Sequence, residues 1–175
     1  MKKTLVGVLL LPVVFLASYV VVLSGEEAWM DLKNCEMCKP IMEQDPALMR
    51  NMTWEHHNLC NGLVSVSTVA PAYLSSYNKA GEKMTKVMEK LERGEQVMLC
   101  NMCSEMSQIM KSGKVKYESV MTSRGSVCLT TTEDPKLLTR LQQWGERTNE
   151  ELAMMARKVE MSEKPKPGQK AGLGY

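Results

Sequence analysis

An internal repeat constrains this chain more than any other feature of its sequence. When the sequence is aligned with itself so that Cys35 falls on Cys100, many other positions match in the same order, with only small gaps. The matching positions include Cys35 with Cys100, Cys38 with Cys103, Glu55 with Glu118, Gly62 with Gly125, Pro71 with Pro135, and Gly81 with Gly145. The pattern predicts an internal duplication, with repeat 1 at about 29–94 and repeat 2 at about 95–161.

Both repeats show the same succession of predicted elements. A short helix carries a cysteine pair. In repeat 1 it is interrupted by Pro40 and by Asp45-Pro46, and in repeat 2 it runs from about Gln96 to Lys111. A β-hairpin follows, with its turn at Asn61-Gly62 in repeat 1, because an Asn-Gly pair accepts the positive φ of a tight turn. A long helix completes each repeat.

The predicted fold class is therefore α+β. Two internally duplicated αββα units form one four-stranded antiparallel sheet with helices on one face, and an N-terminal membrane helix precedes them. A pseudo-twofold axis is expected to relate the two halves. Strand alternation assigns Val64, Val66, Val127 and Leu129 to the buried face of this sheet.

The two long helices carry the same apolar stripe, with the alternating spacing of three and four residues that is typical of a helix seam. A glycine occupies the same stripe position in each, Gly81 and Gly145, although a glycine inside a helix costs about 1 kcal/mol relative to alanine. Two interpretations stay open. Either the helices cross at these glycines with their backbones in close approach, or each stripe packs on the sheet. The stripes are Leu74, Tyr77, Gly81, Met84, Met88 and Leu91, and Leu138, Leu141, Gly145, Thr148, Leu152 and Met155.

The N-terminal segment predicts where the domain resides. Leu5–Leu23 is an apolar run without a charged residue, which as a helix is about 28 Å long and close to the thickness of a bilayer. Two lysines precede it and two glutamates follow it, so its N-terminus is expected to stay inside. We predict that residues 1–25 form an anchor in the lipid bilayer and that residues 26–161 form an extracytoplasmic domain, periplasmic or at the cell surface. A cleaved signal and a secreted domain are the alternative. Residues 162–175 are predicted to be a disordered tail.

Composition excludes one class of partner. After the first two lysines are set aside, the remaining 20 basic residues balance the 20 acidic ones, and aromatic residues make up only 5% of the chain. A neutral domain without a basic cluster is a poor nucleic-acid binder, because phosphate neutralisation needs clustered Lys and Arg. The chain also lacks the nucleophile-elbow, phosphate-loop, dinucleotide and zinc-protease motifs. We therefore predict that it is not an enzyme.

The chemistry of the chain centres on two Cys-x-Met-Cys motifs, CEMC at 35–38 and CNMC at 100–103. Neither is followed by His, so neither is a haem attachment motif. If the repeats bring them together, Cys35, Cys38, Cys100 and Cys103 can supply four thiolates to a soft metal such as Zn or Cu. The intervening thioethers of Met37 and Met102 would support such a site and favour Cu(I).

Two other interpretations of the cysteines stay open. In an exported domain the six cysteines can form disulfides. The options include Cys35 with Cys38, Cys100 with Cys103, bridges between the repeats, and Cys60 with Cys128. That would make the protein a disulfide-stapled interaction domain with a protein partner in the membrane or periplasm. Alternatively, a dithiol can exchange with disulfides, which is the only enzymatic interpretation with support from the sequence.

Four further polar residues are candidates for a functional role. His56 and His57 are adjacent on a predicted strand, so their side chains should face opposite sides of the sheet and cannot easily bind one metal together. Glu55 and Glu118 occupy equivalent positions in the two repeats. They predict either a symmetric carboxylate pair or two solvated side chains on the exposed face of the sheet.

Overall fold

The computed structural model describes residues 28–163, which form an α+β fold. Within them, four strands and four α-helices occur in the order helix, hairpin, helix, repeated once, as predicted. In chain order the elements are α1 (Lys39–Gln44), β1 (Met52–Leu59), β2 (Gly62–Val69), α2 (Leu74–Glu92), α3 (Asn101–Lys111), β3 (Val115–Thr122), β4 (Gly125–Thr132) and α4 (Pro135–Glu163).

The predicted anchor, residues 1–25, lies outside the described residues. The predicted disordered tail, residues 162–175, is wrong at its first two residues, which belong to α4, and the rest of it lies outside the described residues. Between residues 28 and 163, no helix is both long enough and apolar enough to cross a membrane.

The four strands form one antiparallel sheet in the order β1-β2-β4-β3, which confirms the predicted sheet. The second hairpin repeats the first at a constant distance along the chain. The number of residues from Met52, the first residue of β1, to Val115, the first residue of β3, equals the number from Gly62, which begins β2, to Gly125, which begins β4. In the central pair of strands, Ser65 lies opposite Cys128, and that interval also separates these two residues. An origin of these halves by duplication stays a prediction.

The first hairpin turn lies one residue earlier than predicted. Its loop is Cys60-Asn61, and Gly62 is already the first residue of β2 and has no positive φ. Glycine is required there for a steric reason. A Cβ at Gly62 would collide with the carbonyl oxygen of Thr130, and one at Gly125 would collide with the carbonyl oxygen of Ser67. The two glycines therefore allow β2 and β4 to approach each other at both ends.

The sheet buries the face opposite to the predicted one. Val64, Val66 and Leu129 are only half-buried, and Val127 is 36% exposed. We call this the open face and the other the helix-covered face. The central strands present mostly small polar residues to the helices, namely Ser65, Ser67, Ser126, Cys128, Thr130 and Thr132. Alternation grouped the residues of each face correctly, but the helices pack on the more polar group.

Helix α4 lies on the helix-covered face and holds the outer strand β1 through amide side chains. Asn149 accepts a hydrogen bond from the His56 N–H at 3.0 Å and donates one to the His56 carbonyl oxygen at 2.7 Å. Gln142 donates to the Leu59 carbonyl oxygen at 2.9 Å. Because β1 is an edge strand, the two bonds with Asn149 satisfy main-chain groups of His56 that would otherwise be free to pair with another chain.

The two stripe glycines lie in different surroundings. A Cβ added to Gly145 would lie 2.7 Å from Leu63 Cδ1 and 3.3 Å from His56 Cβ, so α4 packs closely on the sheet at this point. A Cβ added to Gly81 in α2 would meet no atom within 4 Å. The interpretation in which the two helices cross at these glycines is therefore wrong. The stripe of α4 packs on the sheet instead.

Helix α2 packs on a second, smaller core. Its buried residues, Ala80 and Val87, are neighbours of the predicted stripe rather than members of it. Ala80 joins Leu48 and Val69 in an apolar cluster. The Tyr77 hydroxyl lies 2.7 Å from the Ser126 hydroxyl and so connects α2 to β4.

Candidate metal centre

The two Cys-x-Met-Cys motifs converge on one point inside the domain. The sulfur atoms of Cys35, Cys38, Cys100 and Cys103 all lie within 4.8 Å of one another. The first three side chains are buried, and Cys103 is partly buried. No histidine, aspartate or glutamate among the described residues joins this group of potential metal ligands.

The sequence predicted that the first motif lies on a helix, and this is wrong. The motif lies in a turn that precedes a helix. The Cys35 carbonyl oxygen accepts hydrogen bonds from the N–H groups of Cys38 at 3.1 Å and Lys39 at 2.9 Å. Helix α1 begins at Lys39, and Pro40 lies in its first turn. Proline is favoured at that position because it needs no N–H partner there. Pro40 therefore starts the helix rather than interrupting it.

The second motif begins its helix in a similar way. Cys100 is the N-cap residue of α3, and Cys103 lies in the first turn. The Cys100 carbonyl oxygen accepts a hydrogen bond from Ser104 N–H at 2.9 Å. The positive end of the α3 dipole thus faces the sulfur cluster, which favours negative charge on the thiols.

Main-chain and carboxylate contacts join the first motif to the segment just before the second motif. The Glu36 N–H donates to the Met98 carbonyl oxygen at 2.9 Å, and the Met98 N–H donates to Glu36 Oε1 at 3.2 Å. Lys90 Nζ lies 3.3 Å from Glu36 Oε2. The glutamate inside the first motif is therefore tied both to the segment before the second motif and to α2.

Two buried tryptophans clamp the second motif against α4. Trp144 donates from Nε1 to the Met102 carbonyl oxygen at 2.8 Å, and the Met102 N–H donates to the Trp29 carbonyl oxygen at 2.9 Å. Trp29 Nε1 in turn donates to Thr148 Oγ1 at 3.2 Å. We did not predict this clamp. The signal available in the sequence was Trp144, a bulky residue beside the stripe glycine of α4.

The sulfur separations suit coordination rather than disulfide bonding. Cys38 Sγ lies 3.8 Å from Cys100 Sγ and 3.4 Å from Cys103 Sγ. Tetrahedral zinc with bonds of about 2.3 Å places its sulfurs about 3.8 Å apart, whereas a disulfide requires about 2.05 Å. All six cysteines are free thiols, so the predicted disulfides are not formed in this structure.

The remaining two cysteines lie outside the cluster. Cys60 is exposed in the first hairpin turn, while Cys128 is partly buried in β4 and accepts a hydrogen bond from the Tyr117 hydroxyl at 3.2 Å. They offer matched controls for any experiment on the cluster.

Hydrogen bonds among the clustered thiols separate their pKa values. The bond with Cys103, followed by those with Cys35 and Cys38, lowers the pKa of Cys100 well below its usual range. The bond with Cys100 raises the pKa of Cys103, and the same partner raises the pKa of Cys38. Cys38 and Cys103 therefore stay protonated, while Cys100 is a thiolate that accepts their hydrogen bonds. Four thiolates at this spacing need a cation to balance their charge.

The two methionines of the motifs belong to the same apolar surroundings. Met102 is 3% exposed and lies in the core cluster that contains Cys35, Cys38 and Cys100, and Met37 packs against that cluster. The four thiols alone complete a tetrahedral set. Ligation by either thioether stays a prediction.

The histidines and glutamates lie apart from the cluster. His56 is buried on the helix-covered face, with Nδ1 2.7 Å from Ser65 Oγ and its ring between those of Trp54 and Trp144. His57 is exposed on the open face, as predicted for adjacent strand residues. Glu55 and Glu118 are exposed on the two outer strands of the sheet. They form no carboxylate pair, and the interpretation as solvated side chains is correct.

Comparison of this chain with protein-family models, with curated proteins and with solved structures finds no significant match.

Proposed function

We propose that this protein binds one soft metal ion, Zn²⁺ in the first place, through Cys35, Cys38, Cys100 and Cys103. A single observation carries the proposal. Four sulfurs from two motifs that are far apart in the sequence lie within 4.8 Å of one another in a largely buried place. A tetrahedral set of four thiolates is typical of Zn²⁺. Cu⁺ is the second candidate, because the two neighbouring methionine thioethers favour it.

The role that this donor set supports is structural. Four protein ligands leave no open position for a substrate or water, as a catalytic zinc site requires. The site would join residues 35–38 to residues 100–103, and the tryptophan clamp joins the latter to α4. Because such a site does not exist in the unfolded chain, the free energy of metal binding contributes directly to folding.

The experiment is an intact-mass measurement of the full chain, purified without chelator, under native and denaturing conditions. We expect one metal ion per chain that is lost on denaturation, together with alkylation of every cysteine. Each of the variants Cys35→Ser, Cys38→Ser, Cys100→Ser and Cys103→Ser should lower metal occupancy, while Cys60→Ser and Cys128→Ser should leave it unchanged. Full occupancy in all four cluster variants would rule out the site. A metal-free chain without free thiols would favour the disulfide-stapled interaction domain instead.

We infer that the metal-binding domain is exported and anchored in a membrane. The support is the apolar run Leu5–Leu23 and the charge asymmetry of its flanks. Free thiols are at risk in an oxidising compartment, and coordination would keep the thiolates from reaching one another. A phosphatase fused to the C-terminus, active only after export, should be active with the intact chain and inactive when residues 5–23 are deleted. Equal activity in both fusions would contradict export by this segment.

We also infer that the domain arose by duplication and has a pseudo-twofold axis. The common interval between the hairpins supports it, as does the pairing of Ser65 with Cys128, the residue one interval away. An experimental structure tests the axis. Residues 52–69 should superpose on 115–132 after a half-turn about the normal to the sheet, and a poor superposition would argue against it.

A further inference from the structure

The open face of the sheet is more apolar at its centre than the helix-covered face. Its central positions are Val64, Val66, Val127 and Leu129, while the central strands turn mainly Ser and Thr toward the helices. An antiparallel sheet with one solvated face normally shows the reverse polarity. On the outer strand β3, Val120 adds a further apolar side chain to the open face and is 64% exposed.

The described helices leave this face free. The contacts of α4 with Leu63 and His56, and that of α2 with Ser126, are all made on the opposite face. With four strands about 4.8 Å apart and eight residues of about 3.3 Å each, the open face covers about 500 Å² in plan. That is of the same order as the ~800 Å² that each partner buries in a specific interface.

We propose that the open face is a dimer interface and that its occupant is the open face of a second copy of this chain. Two sheets would then stack about 10 Å apart, with the valines and Leu129 forming the shared core. A twofold dimer uses the same patch on both partners, so the patch must be complementary to itself.

The polar side chains at the rim meet that condition. By the strand register, Glu55 and Val120 are the two ends of one row across the face, and His57 and Glu118 are the two ends of the next row. A twofold axis along the strands places His57 over Glu118 of the other copy and Glu55 over its Val120. An axis across the strands places His57 over Glu55 and Glu118 over Val120. In neither arrangement do two glutamates face each other, which would oppose association.

The test compares the mass of the full chain with that of the variant Val127→Lys, both metal-loaded and in detergent, by light scattering corrected for the detergent. The wild-type protein should have twice the chain mass of 19.7 kDa. A lysine at the centre of the interface should weaken the dimer by at least about 30-fold, as expected for loss of an interface hot spot. The control variant Met98→Lys changes an exposed methionine in the loop before α3 and should stay dimeric.

A second measurement tests the dimer interface if the Val127→Lys variant does not fold, as judged by circular dichroism and metal content. A photo-crosslinking residue at Val66, activated in membranes of the expressing cells, should yield an adduct of two chains. The same residue at Gln143, exposed on α4, should not. A monomeric wild type, a Val127→Lys variant that stays dimeric, or a Val66 adduct only with lipid, with another protein or within one chain would overturn the proposal.

Discussion

The two hairpins of the sheet have the same length, the same register and very different surroundings. In β1 the buried His56 lies under α4, and the main chain of this edge strand is bonded by side chains of that helix. In β3, the other edge strand, every residue after Val115 is exposed. Similar strand sequences therefore give similar backbones, but they do not determine what packs on them.

The difference arises from a few side chains on the long helices. Counted from the shared glycine, Asn149, Trp144 and Gln142 of α4 correspond to Thr85, Ala80 and Asn78 of α2. Thr85 donates its hydroxyl hydrogen bond to the Gly81 carbonyl oxygen of its own helix at 3.1 Å and reaches no strand. Asn149 and Trp144 hold α4 on the sheet through their contacts with His56, and α2 has Thr85 and Ala80 at the corresponding positions.

Removal of Trp144 should have the largest effect on the covered half. Trp144→Ala deletes a buried aromatic side chain and the bond to the Met102 carbonyl oxygen, so we expect a loss of about 4 kcal/mol in the free energy of unfolding. Chelator competition should also show faster loss of the proposed metal, because the second motif is no longer clamped. Urea denaturation of the metal-loaded protein measures the first effect. The partly exposed Met88 of α2 offers a control, since Met88→Ala should cost about 0.5 kcal/mol. Equal losses in the two variants would mean that the two helices contribute alike.

Loss of the Asn149 amide should expose the edge of β1. Asn149→Ala leaves the N–H and carbonyl of His56 without their partner, and each unsatisfied group costs about 1–3 kcal/mol. We therefore expect about 2–4 kcal/mol of destabilisation, together with faster amide hydrogen exchange at His56. At the corresponding position of α2, Thr85→Ala should stay within about 0.5 kcal/mol of wild type. Slow exchange at His56 in the Asn149 variant would show that other groups protect this strand.

The buried histidine should make the covered half sensitive to acid. Burial, followed by the nearby His57, lowers the pKa of His56 to about 4 from its ordinary value of 6.5. The unfolded chain therefore takes up a proton more readily than the folded one. The contribution of neutral, buried His56 to the free energy of unfolding is present above pH 6.5 and is lost as the pH falls toward 4. Between pH 7 and 5 we expect a loss of about 2 kcal/mol.

A variant without the titrating group isolates this effect from acid release of the proposed metal. In matched urea titrations between pH 7 and 5, His56→Gln should be spared most of the loss that His56 causes in wild type, again about 2 kcal/mol. Parallel losses in the two proteins would show that His56 does not titrate in this range.

The two stripe glycines should respond to the same substitution with opposite sign, and this effect is the smallest. Gly81→Ala adds a methyl group in open space and raises helix propensity, so it should stabilise by about 1 kcal/mol. Gly145→Ala forces Leu63 Cδ1 away from a 2.7 Å contact, and overpacking of about 1–3 kcal/mol should exceed the propensity gain. Thermal unfolding of both variants measures the difference. A stabilised Gly145→Ala would show that α4 packs loosely at this point.

The sequence was sufficient to predict the order of elements, the antiparallel sheet and the meeting of the cysteine motifs. Each of these depends on local patterns or on positions that recur at one interval. It was misleading about the covered face, because Val64 and Val127 fit the expectation that apolar residues face the helices. In the structure α4 is anchored by Asn149 and Trp144, and it packs over Ser and Thr residues. A period of two identifies residues that share a face, but not the face that another element will cover.

Local sequence patterns also could not predict that the first cysteine pair lies in a turn rather than on a helix. A Cys-x-x-Cys segment forms a helical turn or a tight loop equally well, and Pro40 fits both the interruption of a helix and the start of one. The clamp around Met102 joins Trp29 to the far end of the chain, and no short-range signal reports a contact at that separation.

The bond between Trp29 and Thr148 spans 119 residues of sequence, and this has a consequence for the time at which the domain becomes complete. A chain that emerges N-terminus first presents Cys35 and Cys38 long before Cys100 and Cys103, and it presents the clamp later still. Contacts of such long range slow folding, because the chain between them must be ordered before they form. Cys35 and Cys38 therefore stay reactive thiols during synthesis until Cys100 and Cys103 have been made. The clamp around the sulfur cluster can form only after Trp144 and Thr148 have been made, well after the last of the four cysteines.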